Sequence, residues 1–137
     1  MISVTSVTGE YILQPTLLEK HRKTLEWLSA TLLWKREFNF FQKLLDQQSI
    51  KFSSIDDKKT MSHFQNLITY YNGEVIDELR KKLREHESKL ADVLQTKNEL
   101  KTEYFKEHDA VMQELESFQI RFIEYKEGLF EFIEKSM

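Results

Sequence analysis

Apolar side chains recur every three or four residues along most of the chain, the period of one helix face. One stripe runs Met61, Phe64, Leu67, Ile68, Tyr71, Val75, Leu79, Leu83, Leu90 and Leu94. A second runs Leu100, Tyr104, Val111, Leu115, Phe118, Phe122, Tyr125, Leu129, Phe132 and Ile133. Ahead of them, residues from Thr16 to Gln48 carry two apolar faces. Leu17, Leu18, Leu25, Leu28 and Leu32 point one way; Trp27, Trp34, Phe38, Phe41 and Leu45 point roughly opposite, widened by Phe40, Leu33 and Leu44.

The stripes begin at recognisable helix starts. Thr16-Leu17-Leu18-Glu19, Ser54-Ile55-Asp56-Asp57 and Thr96-Lys97-Asn98-Glu99 each place a hydroxyl three residues before an acid, the arrangement of a capping box. The single proline, Pro15, precedes the first box, and of the three glycines only Gly9 lies outside the periodic stretches. Asn72-Gly73 ordinarily marks a turn. Here the stripe keeps its phase from Tyr71 to Val75, so the helix is expected to continue.

The pattern predicts helices over about residues 16–48, 55–94 and 97–135. The fold class is all-α: an elongated antiparallel (up-down-up) three-helix bundle with coiled-coil-like packing, one domain over residues 15–137. Residues 1–14, rich in Ser, Thr and Val, read as an extended N-terminal arm. The second join rests only on the polar run from Gln95 to Glu99. Without it the last two helices fuse into a rod of roughly 80 residues that must oligomerise.

Composition narrows the function classes. At 137 residues with 40% hydrophobic and 31% charged side chains, the chain can bury a core. A net charge of −3 disfavours a phosphate-binding surface, so no nucleic-acid partner is expected. The short basic runs Lys20-His21-Arg22-Lys23 and Arg80-Lys81-Lys82-Leu83-Arg84 spread around a helix and read as solvated surface. Absent cysteine excludes disulfides, thiolate metal sites and a cysteine nucleophile. The N-terminus has no signal-peptide pattern and no run is apolar enough to span a bilayer, so a cytoplasmic chain off the membrane is expected. Acids four residues before lysines, as in Glu19/Lys23, Asp77/Lys81 and Glu85/Lys89, read as surface pairs adding only ~0.2–0.5 kcal/mol each.

Two features stand out. His86 falls inside the second stripe, His108 inside the third, and His21 between Leu18 and Leu25. Counting ~1.5 Å per residue from the turns brings all three to one level of the bundle. Three inward imidazoles are a candidate first shell for a zinc-like divalent metal, with Glu103, Glu107 and Asp109 close in sequence. The bland alternative is a buried polar layer that sets helix register. No His-Glu-x-x-His or Glu-x-x-His motif supports the metal, so no cofactor is the primary expectation.

The other feature is the surplus apolar face of the first helix. One helix of three needs a single stripe. Trp27, Trp34, Phe38, Phe41 and Leu45 are therefore expected to meet a partner, most simply a second copy in a homodimer, the alternatives being another protein or cover by residues 1–14 and a twist of the first helix. The leading reading is a non-catalytic structural or protein-binding bundle. A metal-binding bundle using His21, His86 and His108 is the alternative, and a small-molecule pocket between helices the third. No Gly-rich phosphate loop or nucleophile elbow argues for an enzyme.

Overall fold

Residues 15–95 and 98–137 are described by the structure, a computed structural model. Ser54 shows how the sequence sets a boundary. Its backbone is extended at φ −72°, ψ 153°, and its Oγ accepts from the backbone N–H of Asp57 at 3.0 Å. Its carbonyl takes the first helical bond from Lys58, and Asp56 and Asp57 lie in the first turn, where the helix dipole favours acids. Ser54→Ala should lower stability by about 1 kcal/mol in urea denaturation, without loss of helicity. An unchanged midpoint would show that the cap contributes nothing.

The first expected box behaves differently. Helix α1 (Pro15–Gln48) already includes Pro15. Thr16 therefore stands inside the first turn instead of capping it, and Pro15, whose missing N–H would be unpaired there anyway, suits that end. A short 3₁₀ turn (Ser49–Lys51) and Phe52 lead into α2 (Ile55–Tyr70). The third box, Thr96 to Glu99, and the proposed arm, residues 1–14, lie outside the residues whose structure or side chains are described.

The second stripe does continue through Asn72-Gly73, but not as uniform α-helix. Tyr71–Val75 form a π turn, in which Ile76 N–H reaches back five residues to Tyr71 O. Gly73 has nothing within 4 Å of where a Cβ would be, so it faces outward. The wide turn adds a residue to the rod. It shifts the inward position from Val75, which the periodicity had favoured, to Ile76, which is fully buried. Lys35 of α1 donates to the Asn72 carbonyl at 3.0 Å, and Asn72 to Asn39 at 3.0 Å, so the irregular turn is held by α1. Beyond it run α3 (Ile76–Ser88) and the short α4 (Leu90–Gln95), separated at Lys89, whose N–H bonds His86 O at 3.2 Å.

Helix α5 (Asn98–Glu134) returns along this rod. Lys82 meets Glu114, and Tyr125 donates to the Phe64 carbonyl, so rising numbers on one helix meet falling numbers on the other. The chain thus reverses between α4 and α5, within the polar interval the sequence marked. Asn72 on Asn39, Asp77 on Lys35 and Arg80 on Thr31 Oγ1 show the same antiparallel relation between α1 and the middle rod. The rods run up, down and up, with no strand among the described residues.

The core corrects the reading of α1. Trp34, Phe38, Phe41 and Leu45 are buried inside the chain's own bundle, with Trp27 packed against them. Phe38 lies 4.9 Å from Phe122 and 5.3 Å from Tyr125, and Trp34 5.4 Å from Phe118, between ring centroids. These side chains form the seam between α1 and α5 and are not free for a partner. The rest of the α1 seam is Leu17, Thr24 and Thr31, all buried and spaced by seven from one another through Phe38 to Leu45. The threonines tolerate burial because each hydroxyl donates to its own helix, Thr24 to Lys20 O at 2.9 Å and Thr31 to Leu28 O at 3.0 Å.

Charges also act between helices more than within them. Asp77 pairs with Lys35 at 2.6 Å, Lys82 with Glu114 at 2.8 Å, and Lys89 with Glu107. The intrahelical spacing seen in sequence is therefore not how Asp77 and Lys89 are used.

Candidate functional site

Two parts of the molecule carry chemistry that the core does not need. The first is a polar layer near the end where α3, α4 and α5 meet. His86, fully buried, points from α3 into the core because it keeps the three-four spacing from Leu83 to Leu90. His108, 5% exposed, does the same from α5 between Tyr104 and Val111. Their rings meet, with His86 Nε2 3.1 Å from His108 Nδ1. On its other side, His86 Nδ1 lies 2.6 Å from Glu107 Oε1, and Lys89 donates to the second oxygen of that carboxylate. Tyr104 lies flat on His86, centroids 4.2 Å apart.

A carboxylate only accepts, so His86 Nδ1 carries a proton and donates it to Glu107; in neutral His86, Nε2 then accepts from His108 Nδ1–H. Burial, with smaller contributions from the neighbouring His86 and Lys20, pushes the His108 imidazole down to about 4. Burial alone would raise Glu107, but hydrogen bonds from Lys89 and His86 outweigh it and hold the carboxyl below its ordinary value. The Tyr104 phenol is pushed up by burial and then by Glu87 and Glu107, so it remains protonated.

His21 does not join this pair. Its Nδ1 lies 2.6 Å from Glu87 Oε2, an ion-pair distance without the alignment of a hydrogen bond. The sequence thus placed all three rings near one level, and the structure brings together two. Among the described residues, no group of three or more His, Asp or Glu side chains is disposed to hold a metal ion. His21 Nδ1, Glu87 Oε1 and Tyr104 OH are buried without a hydrogen bond, and each such atom costs roughly 1–3 kcal/mol. A layer built this way is poorer in stability than an apolar one but pairs in only one register. A one-turn slip of α5 would leave His86 and His108 buried without these partners. Glu107 was legible as an acid beside a core histidine. The pairings of Lys89 and Glu87 were not, since each crosses between helices, Lys89 to Glu107 on α5 and Glu87 to His21 on α1.

A cleft of about 290 Å³ beside the layer is lined by Lys89, Asp92, Val93, Glu103, Tyr104 and Glu107. It falls just under the ~300–1,000 Å³ usual for ligand pockets, and Lys89, Asp92, Glu103 and Glu107 put charged side chains around it.

The second part is an exposed face. Leu25, Leu32, Leu33 and Phe40 of α1 are 44–59% exposed. At ~100° per residue they share about 100° of arc opposite Phe38 and Leu45. On α5, Ile120, Ile123 and Phe130 are 43–62% exposed. Phe40 and Phe130 both pack on the ring of Phe41, at 6.2 and 5.7 Å, so the two ridges flank one seam between the parallel helices α1 and α5. Sequence reasoning divided these α1 leucines between two buried faces. The signal it passed over was the strict seven-residue spacing of Leu17, Thr24, Thr31, Phe38 and Leu45.

No helix among the described residues is long and apolar enough to cross a membrane. No family model, curated protein or solved structure matches the chain.

Proposed function

We propose that the chain is a non-catalytic interaction module that docks onto a protein partner through the exposed α1/α5 face. The observation that carries this reading is the ridge of Leu25, Leu32, Leu33 and Phe40, four large apolar side chains turned away from a core that is complete without them. Singly exposed apolar residues are ordinary, whereas a contiguous ridge beside a second one from α5 marks an interaction surface. The side chains expected to meet a partner, Trp27, Trp34, Phe38, Phe41 and Leu45, serve instead as the rigid support behind it.

A photoreactive amino acid placed at position 40 tests the reading in living cells. Discrete crosslinked protein adducts are expected from position 40 and not from position 50. Ile50 is more exposed than Phe40 but belongs to the 3₁₀ turn and to neither ridge. No adduct, or the same adducts from both positions, would overturn it.

A further inference from the structure

We infer that the partner on this face is a second copy of the chain, laid with its α5 ridge on α1 and, by symmetry, its α1 ridge on α5. The inference rests on the docking reading above and adds the occupant and its orientation. It is carried by charge. From Lys20 to Lys43, α1 holds six bases and two acids; from Asp109 to Glu134, α5 holds seven acids and two bases. Within the chain, the ion pair that joins these helices, Glu37 with Lys126, uses the minority sign on each. Lys35 and Glu114 pair with Asp77 and Lys82 of the middle rod, while Arg36, Lys43, Glu127 and Glu131 carry the majority signs on exposed positions.

Arg36 and Lys43 fall on the same arc of α1 as Leu33 and Phe40, and all four are exposed. Glu127 and Glu131 fall on the arc of α5 that carries Ile123 and Phe130, and these too are exposed. Each ridge therefore intersperses its apolar side chains with charges of one sign, and the two signs are opposite. A ridge laid on its own copy would oppose like charges. A ridge laid on the other helix of a copy matches apolar side chains with apolar ones and acid with base. Because α1 and α5 run parallel, a two-fold axis along the bundle makes the two contacts identical and closes the assembly at two chains.

Sedimentation velocity on the full chain and two charge-reversed variants tests this. Variant one carries Arg36→Glu and Lys43→Glu; variant two carries Glu127→Lys and Glu131→Lys. The wild type is expected as a two-chain species that dissociates as salt rises from 0.1 to 1 M, where screening shortens from ~10 to ~3 Å. Each variant alone should be a monomer of unchanged helicity. Mixing the two should restore a one-to-one dimer, since acid then meets base at both contacts.

A wild type that stays monomeric overturns the second-copy inference. Adducts to a different protein from position 40 would then leave the docking reading standing. Disruption by variant one but not variant two points to α1 on α1 and overturns the arrangement, as does a mixture that does not associate. Should a reversed variant not fold, Arg36→Ala with Lys43→Ala, and Glu127→Gln with Glu131→Gln, are read by the salt dependence of association, which each must weaken.

Discussion

Phe38→Ala is expected to destabilise the fold by about 3–5 kcal/mol, the cost of truncating a buried phenylalanine, while Phe40→Ala should change stability by less than about 0.5 kcal/mol. The two residues are neighbours on α1, identical in chemistry, and differ in environment. Phe38 is 0% exposed and packs on Phe41, Tyr71, Phe122 and Tyr125, so its removal leaves a cavity among rigid rings from three helical segments. Phe40 is 59% exposed. Urea denaturation of the two variants below the concentration of any self-association checks this. Equal losses would mean that the exposed ridge belongs to the fold, and the docking reading would lose its basis. Native stabilities are only about 5–15 kcal/mol, so Phe38→Ala removes a large share of what is available.

Acid should weaken the fold through the histidine layer. In the unfolded chain His108 takes a proton below about pH 6.5, whereas the folded chain refuses it until about 4. Between those values the unfolded state binds more protons, so stability rises with pH across the window and is lost as pH falls through it. The difference corresponds to a loss on the order of 3 kcal/mol by pH 4, little screened because His108 is 5% exposed. Glu107 acts in the same direction at the lower end. Its depressed carboxyl contributes stability that is present above the unfolded value and lost as pH falls below it. Asp109, beside His108, opposes the shift only weakly. The check is denaturation at pH 7.5 and 4.5 for the wild type and for His108→Gln, whose amide can still donate to His86. The variant should lose much of the pH dependence; identical slopes would remove His108 as its source.

Both results bear on how the parts relate. The polar layer sits where the α3–α4 rod meets α5, while the exposed ridges extend along the middle and far half of α1 and α5. The layer selects one register of α5 against α3. That same register aligns Ile123, Glu127 and Phe130 beside the α1 ridge, so an interface made of two helices depends on side chains that never touch it.

The period of apolar residues is a local property of the backbone, and so most of the architecture is legible in the sequence. It marked three helical rods, the reversals after Gln48 and after Gln95, the cap at Ser54, and the alternating four-three spacing from Tyr104 to Leu129 that turns His108 inward with His86. What it left open was a comparison between surfaces. Helix α1 has apolar residues on both sides, and local period cannot say which side is covered. The positions of α3 and α5 decide that, and they favour the seam containing Thr24 and Thr31, two residues that a hydrophobic-polar pattern counts as outward. Burial succeeds there because each hydroxyl bonds to its own helix, so nothing polar is lost. The π turn at Tyr71–Val75 is likewise tertiary in origin: Lys35 and Asn39 of α1 hold it, and the added residue brings Ile76 into the core in place of Val75. Glu107, Lys89 and Glu87 join the histidines only because helices distant in sequence lie side by side. Spacing along one helix sets which way a side chain points; whether it meets a core, a charge or open solvent is set by its neighbours.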